Sequence, residues 1–217
     1  MPLKYETIIF DKDGTLLDSV QGVLNSIHYA LDRLGLPFPA GVDGRRLVGP
    51  PLRHTYHHVL GVGLERLDEA VALHREYYLR QGFCEAAPYA GAKDLLADLK
   101  AAGGRVCIAT TKYRPLAERM LAHFELAPYI FHAEMSDGTE MSSAKSGMLA
   151  RVLAAVGCAP ESAVMIGDTV FDAESARDTG IPFIGVLFGY GTQAEMEAAG
   201  AARFVGSLEE LRAELFV

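Results

Sequence analysis

The sequence of 217 residues is poor in cysteine, has fewer basic than acidic residues and contains no apolar run long enough to cross a bilayer. Its three cysteines, Cys84, Cys107 and Cys158, are scattered and lack Cys-x-x-Cys spacing, which argues for reduced thiols and against a disulfide framework. A formal net charge of -8 without any basic run argues against a surface that binds nucleic acid. Membrane and nucleic-acid partners are therefore not expected.

The amino-terminal segment is also short. The first predicted strand begins by about Thr7, so we expect no signal peptide. Together with reduced thiols, this favours a cytoplasmic protein. Half of the residues are hydrophobic and 22% are charged, so the chain can build a sizeable core, as one large domain or as one domain with an insertion.

The block of residues 18–82 shows helical patterns and no credible strand. The first helix is expected to end at Gly35, because glycine readily takes the left-handed conformation that closes a helix. A second helix is expected over residues 51–60. A third helix carries one stripe of mainly apolar residues, namely Leu67, Val71, His74 and Tyr78.

After Pro88, strands alternate with amphipathic helices. The runs at 106–109, 163–166 and 183–186 are continuously apolar, as buried parallel strands are. We expect an α/β fold with a doubly wound, mostly parallel Rossmann-like sheet and an inserted α-helical cap domain. The expected core domain comprises residues 1–15 and 85–217, and the expected cap domain comprises residues 16–84.

Asp11 and Asp13 follow the apolar run Thr7–Phe10 directly, in the sequence Asp-Lys-Asp-Gly-Thr. Side chains alternate along a strand, so the two carboxylates point toward the same side. Carboxylates held this close favour a cation beside them, or a division of roles between nucleophile and acid–base. Lys12, between them, is expected to point away from the carboxylate side.

Other polar residues follow the later predicted strands, at the sheet edge where open α/β sheets form their sites. Each alone is common at a strand–helix junction, as a cap or a solvated side chain. Their occurrence at consecutive strand ends favours a shared site. In chain order they are Thr110, Thr111 and Lys112, then Lys145 in a helix that begins near Ser143, and then Asp168 with Asp172.

This order of motifs resembles the haloacid dehalogenase superfamily of phosphotransferases, and the resemblance spans essentially the whole chain. Two further segments resemble its phosphoglycolate phosphatases and 5'-nucleotidase-like members. They are Val48-Gly49-Pro50-Pro51-Leu52 in the expected cap and Gly189-Tyr190-Gly191-Thr192 after a late strand. Thr111 departs from that branch, which often has Asn at this position.

The resemblance implies a Mg²⁺-dependent phosphatase of a small phosphorylated metabolite. Asp11 would be the nucleophile that forms an aspartyl-phosphate, and Asp13 would be the acid and base. Thr110 and Lys145 would bind the phosphoryl oxygens, with Thr111 beside them.

It also implies a ligand set for the metal. Asp11, Asp168 and the backbone carbonyl of Asp13 would hold Mg²⁺. Asp172 would either be a further ligand or accept a hydrogen bond from Lys145 or a metal-bound water.

The expected cap offers candidate substrate contacts around its Gly-Pro-Pro loop. Arg45, Arg46, Arg53 and Gly49 are the candidates, because an arginine can grip a second anionic group through two hydrogen bonds. The expected partner is a small phosphate ester, most simply phosphoglycolate. We expect a monomer or a weak homodimer.

Several alternatives share these motifs. A 5'-nucleotidase-like phosphatase and a sugar phosphomutase resembling β-phosphoglucomutase both remain open, as does a non-catalytic binding protein. A dehalogenase would need neither the acid at Asp13 nor a metal. A phosphonate hydrolase would need a Schiff-base lysine in the cap, and residues 16–84 contain no lysine.

Overall fold

The computed structural model describes residues 2–138 and 144–217. The chain forms two compact units, of which the larger comprises Met1–Asp18 and Pro88–Val217 and the smaller comprises Ser19–Ala87. These limits lie a few residues further along the chain than those expected from the sequence. In the described ranges, none of the helices combines the length and the apolar character that a membrane crossing requires.

The larger unit is built on a parallel sheet of six strands in the order β5-β4-β1-β6-β7-β8. Every pairing in this sheet is parallel. The α/β prediction is therefore confirmed. Its strands are β1 (Thr7–Phe10), β4 (Arg105–Tyr113), β5 (His132–Ser136), β6 (Ala163–Gly167), β7 (Phe183–Val186) and β8 (Phe204–Val205), while β2 (Leu17–Asp18) and β3 (Ala87–Pro88) are short strands outside it.

The strand order reverses beside β1, because β4 and β5 extend to one side of it and β6 to β8 extend to the other. Such a reversal leaves a crevice beyond the carboxyl ends of the strands. The register places Phe10 level with Ile108 on β4 and with Ile166 on β6. The residues just beyond these three therefore emerge together at one edge of the sheet.

Both faces of the sheet are covered. Ile8, Ile9 and Phe10 are all fully buried although their side chains alternate between the faces. One face packs, through Ile9 and its neighbours, against Leu149 and Val152 of a helix that contacts β4 and β5. The helices of this unit are α4 (Ala92–Ala101), α5 (Arg114–His123), α6 (Lys145–Val156), α7 (Val170–Thr179), α8 (Gln193–Ala198) and α9 (Leu208–Leu215).

The strand predictions were correct at the centre of the sheet and incomplete at its edges. β4 runs on to Tyr113, so the segment at 110–112 lies within the strand and not after it, with a register irregularity between Thr110 and Tyr113. β5 and β8 were not predicted, because neither has a continuous apolar run. The predicted helix start near Ser143 lies outside the described residues.

The smaller unit is helical, as expected. It contains α1 (Val20–Leu34), α2 (Leu52–His54) and α3 (Leu67–Arg80). Gly35 ends α1 with a φ of 67°, in the left-handed region that a glycine adopts without strain. The helix predicted over residues 51–60 is present over 52–59, but only α2 is α-helical and Thr55–Val59 continues it as a π-helix.

Candidate active site

The acidic residues predicted to form a site do come together at the carboxyl edge of the sheet. One carboxylate oxygen from each of Asp11, Asp168 and Asp172 lies within 4.8 Å of the other two, and all three residues are buried. Asp11 follows β1, and its backbone N–H donates to the carbonyl of Ile166 at 2.8 Å. The paired strands β1 and β6 therefore fix the spacing of Asp11 and Asp168.

Lys145 brings a positive charge into this acidic group. It is the first residue of α6, it is buried, and its ammonium donates a hydrogen bond to Oδ1 of Asp11. The same Nζ lies 2.5 Å from Oδ1 of Asp172. Lys145 thus contacts two of the three carboxylates, and one ammonium among three carboxylates leaves a net negative charge in a buried place.

Burial changes the proton affinity of these carboxylates. It raises the pKa of Asp11 to about 6 from an ordinary value of 3.8, against the opposing effect of the Lys145 charge. Burial, reinforced by the charges of Asp172 and Asp11, holds the pKa of Asp168 well above its ordinary value. Burial acts to lower the pKa of Lys145, but the charges of Asp11 and Asp172 outweigh it and the pKa is raised.

Asp168 is held on both of its carboxylate oxygens. The hydroxyl of Thr15 donates to Oδ1 at 3.1 Å, and the backbone N–H of Tyr190 donates to Oδ2 at 2.7 Å. Glycines permit this close approach, since a Cβ on Gly14 would lie 2.2 Å from Oδ2 and a Cβ on Gly189 would lie 2.2 Å from the Cβ of Asp168. Asp168 can therefore take this position only because Gly14 and Gly189 have no side chains.

Asp172 has two different partners. Oδ2 accepts the backbone N–H and the hydroxyl of Thr169, at 3.0 and 2.7 Å, in the capping box of α7. Oδ1 faces Lys145. Asp172 therefore caps α7 and also lies beside Lys145.

Asp13 lies between two lysines, and this differs from the sequence expectation. Nζ of Lys12 donates to Oδ1 of Asp13 at 2.7 Å, and Nζ of Lys112 lies 3.7 Å from Oδ2. The prediction that Lys12 points away from the carboxylate side was therefore wrong. Burial lowers the pKa of Lys112, against the opposing effect of the Asp13 charge.

Thr110 and Thr111 lie on β4, beside β1. Thr110 is buried, and its hydroxyl oxygen accepts the backbone N–H of Lys112 at 3.2 Å. Thr111 is partly buried. Both residues stand at the same end of the sheet as Asp11, because β4 and β1 are parallel and in register.

The candidate substrate contacts of the smaller unit are solvent-exposed. Arg45 and Arg46 lie in a 3₁₀ turn at Gly44–Leu47, whose preceding residue, Asp43, accepts the backbone N–H of Arg45 at 3.0 Å. Arg53 forms an exposed ion pair with Asp68.

Gly49, the fourth candidate, has a φ of 106°. Few residues other than glycine take this value without strain. The loop at Gly49 therefore depends on glycine for its conformation.

The acidic group suits a hard divalent cation. All of its side-chain donors are oxygens, which Mg²⁺ prefers, and the excess of negative charge in a buried place would be offset by a cation. Asp11, Asp168 and Asp172 are the only such group of three among residues 2–138 and 144–217. The residues present therefore fit a metal site.

Sequence reasoning missed several contacts of this site. The hydroxyl of Thr15, the backbone N–H of Tyr190 and the ammonium of Lys12 each contact one of the predicted carboxylates. Thr15 and Lys12 belong to the same five-residue motif as Asp11 and Asp13. Their proximity in sequence was a usable signal, whereas nothing in the sequence indicated the bond from Tyr190.

A family model, curated proteins and solved structures match this chain. A family model described as haloacid dehalogenase-like hydrolase matches residues 8–186. Tyrosine-protein kinase PtkA of Mycobacterium tuberculosis is 35% identical over 216 residues, which cover 98% of this chain and 73% of that protein. A solved structure of a haloacid dehalogenase-like family protein from Streptococcus pneumoniae is 31% identical, with a TM-score of 0.89 over 97% of this chain and 98% of that one.

Other curated relatives are named as enzymes that hydrolyse phosphate esters, and two of them are more than 30% identical to this chain. The 5'-nucleotidase of Pseudomonas aeruginosa is 32% identical, over 97% of this chain and 95% of that protein. The phosphoglycolate phosphatase of Caulobacter vibrioides is 34% identical, over 90% of this chain and 84% of that protein.

Proposed function

We propose, on the premise that the chain belongs to the haloacid dehalogenase-like hydrolases and is a phosphatase of that family, that it is a Mg²⁺-dependent phosphoglycolate phosphatase or a close equivalent. One observation carries the proposal above the others. Asp11 lies at the sheet edge within contact of Lys145 and close to Asp168 and Asp172. This arrangement combines a nucleophile, a cation that can bind phosphoryl oxygens and a set of metal ligands.

Asp11 is the proposed nucleophile. Lys145 engages its Oδ1, which leaves Oδ2 to attack phosphorus and to form the aspartyl-phosphate. The ester oxygen leaves with a proton from Asp13. Asp13 then takes a proton from the water that attacks the aspartyl-phosphate, so Asp11 is regenerated and inorganic phosphate is released.

Lys145, Thr110 and Thr111 are proposed to bind the phosphoryl oxygens. Negative charge spreads over these oxygens as the phosphoryl group is transferred, and fixed donors stabilise that charge. The ion pair of Asp172 with Lys145 keeps the ammonium close to Asp11. Asp172 is proposed to act through Lys145 or as a further ligand.

Mg²⁺ is the proposed cofactor, with Asp11, Asp168 and the carbonyl of Asp13 as its protein ligands. When bound, it would neutralise charge on the phosphoryl group and screen the carboxylates from one another. The hydrogen bonds from Thr15 and Tyr190 orient Asp168 for this role.

Phosphoglycolate is the first candidate substrate, because one curated relative is named for it and because its carboxylate would need a second cationic contact. The smaller unit is the proposed cap, and its exposed arginines at 45, 46 and 53, beside Gly49, are the candidates for that contact. A cytoplasmic location and a monomer or weak homodimer complete the proposal.

A nucleoside 5'-monophosphate is the second candidate substrate, since another relative of similar identity is named a 5'-nucleotidase. A sugar phosphomutase resembling β-phosphoglucomutase would use the same Asp11 and Asp13, but it would return the phosphoryl group to a sugar. These candidates differ in the group attached to the phosphate and in the acceptor.

Release of inorganic phosphate from a panel of esters, with Mg²⁺ and with EDTA, tests the proposal. The panel contains phosphoglycolate, nucleoside 5'-monophosphates, phosphotyrosine and β-glucose 1-phosphate, with Asp11→Asn as the inactive control. Mg²⁺-dependent release with the highest kcat/KM for phosphoglycolate supports the proposal. Preference for a nucleotide favours the second candidate, and conversion of glucose 1-phosphate to its 6-phosphate favours the mutase.

A further inference from the structure

Lys12 is a fully buried lysine with an unusual choice of partners. Its side chain has no exposed surface, and its ammonium contacts Oδ1 of Asp13 at 2.7 Å and Sδ of Met120 at 3.4 Å. A buried ammonium is costly unless a charge or several acceptors compensate for the lost water. A thioether is a weak acceptor, so Asp13 supplies most of the compensation that these two contacts provide.

This contact bears on the orientation of the Asp13 carboxylate. Lys12 holds Oδ1 from the turn after β1, while Lys112 on β4 lies 3.7 Å from Oδ2. The two oxygens thus face ammonium groups from two different elements. These contacts restrict rotation of the carboxylate about the Cβ–Cγ bond. Charge-assisted hydrogen bonds are strong enough to select one orientation.

We propose that Lys12 is a positioning residue for Asp13, which holds the carboxyl group in the orientation that delivers a proton to the leaving oxygen of the substrate. The inference rests on the proposed function, in which Asp13 is the proton donor. Lys12 itself exchanges no proton in the step. The proton passes from Asp13 to the ester oxygen as the bond from that oxygen to phosphorus breaks and the bond from Asp11 to phosphorus forms.

The role makes a specific prediction about leaving groups. An ester that releases a stable anion, such as p-nitrophenyl phosphate, needs little help from a proton donor, whereas benzyl phosphate releases an alkoxide and needs much. A misplaced donor therefore slows benzyl phosphate more than p-nitrophenyl phosphate. A general loss of folded protein slows both equally.

The experiment compares kcat/KM for p-nitrophenyl, phenyl and benzyl phosphate in the wild-type chain and in Lys12→Met. Because kcat/KM covers the steps up to formation of the aspartyl-phosphate, it includes departure of the leaving group. We expect the benzyl to p-nitrophenyl ratio to fall by about tenfold, which is part of the roughly 100-fold or more that a positioned acid supplies. Lys12→Gln, also neutral, is the second variant if the methionine chain does not fold, and the same fall is expected.

Two further variants make the result specific. Met120→Leu removes the sulfur contact of Lys12 but keeps apolar packing, and it should leave the ratio unchanged. Asp13→Asn should lower the ratio at least as much as Lys12→Met, and the double variant should lower it no further, because Lys12 acts through Asp13.

The possible failures are distinguishable. Equal loss on all three esters in Lys12→Met, or an additive effect in the double variant, would overturn the role of Lys12 while the phosphatase proposal stands. No phosphate release from any ester by the wild-type chain would overturn the phosphatase proposal itself.

Discussion

Tyr190 bonds Asp168 through its backbone and Asp18 through its side chain. Its N–H donates to Oδ2 of Asp168 at 2.7 Å, and its phenol hydroxyl donates to Oδ1 of Asp18 at 2.9 Å. Asp18 is the last residue of the first segment of the larger unit. Tyr190 therefore links a proposed metal ligand to the residue at which the chain leaves this unit. A mutation can remove one of the two bonds and keep the other.

Tyr190→Phe removes the bond to Asp18 and keeps the backbone bond to Asp168. We expect the free energy of unfolding to fall by about 1 kcal/mol, the usual net value of one hydrogen bond. The Mg²⁺ concentration for half-maximal phosphatase activity should stay close to that of the wild type. Chemical denaturation and a Mg²⁺ titration of activity measure the two quantities, and a weakened Mg²⁺ response would show that the phenol contributes to the site.

Mg²⁺ is expected to stabilise the folded protein, because it binds the native acidic group and not the unfolded chain. At a Mg²⁺ concentration of 100 times Kd the stabilisation is about 2.7 kcal/mol. Asp168→Asn should abolish most of this gain. Asp178→Asn is the matched control, since Asp178 is exposed on α7 and pairs only with its neighbour Arg177 in the described ion pairs. Thermal unfolding with Mg²⁺ and with EDTA measures the gain, and an equal loss in both variants would contradict the assignment.

The metal-free protein should lose stability as the pH rises. A raised pKa means that the folded state holds the proton of Asp11 more tightly than the unfolded chain does, with values of about 6 and 3.8. The stability that results is fully present below the pKa of Asp11 in the unfolded chain. It is lost as the pH rises through the pKa of Asp11 in the folded protein. Asp168, whose pKa is also raised, adds to the same trend.

The measurement is urea unfolding in EDTA at pH 5 and at pH 8. The full pKa shift of Asp11 corresponds to about 3 kcal/mol. Only the part above pH 5 falls within this range, which is about 1.4 kcal/mol for a folded-state pKa of about 6. We expect the wild-type protein to lose at least roughly that much and Asp11→Asn to lose less. Asp178→Asn should follow the wild type. If the wild type and Asp11→Asn lose equal amounts of stability, burial does not raise the pKa of Asp11.

Lys145→Met leaves three buried carboxylates without their cation. We expect the metal-free protein to lose about 3–5 kcal/mol of stability, the usual result of breaking a buried ion pair on one side only. Adding Asp172→Asn should restore part of the loss, because one uncompensated charge disappears. Phosphatase activity should be absent in both variants, since neither retains the cation for the phosphoryl oxygens.

The control for the two Lys145→Met variants is Lys93→Met. Lys93 and Glu125 form an exposed ion pair, and such pairs contribute little to stability because water screens them. If Lys145→Met and Lys93→Met have similar effects on unfolding, the buried group does not depend on Lys145 for its charge balance.

The sequence predicted the centre of the sheet well and its edges poorly. The run 7–10 and the run 183–186 match β1 and β7, because strands covered on both faces are continuously apolar. β5, with the sequence His-Ala-Glu-Met-Ser, is an edge strand with three half-exposed residues. β8 has only two residues. Neither carries a periodic signal, so both depend on the strand already in place beside them.

The candidate site shows the same division. The types and order of its residues, from Asp11 to Asp172, could be read from the sequence because a strand–turn motif keeps them in fixed local positions. The bond from Tyr190 to Asp168 could not, since it depends on the path of the chain between distant segments. The contact of Lys145 with Asp172 was one of the alternatives that the family resemblance implied.

The sequence by itself determined which chemical groups stand at the ends of the strands, because the apolar runs define the strands and the polar residues that follow them are local. Only the tertiary structure decided how these groups meet. The parallel register brought Asp11 beside the end of β6, next to Asp168, and α6 directed Lys145 to two of the carboxylates. Lys12 is buried with its ammonium against Asp13, which is its ion-pair partner among residues 2–138 and 144–217.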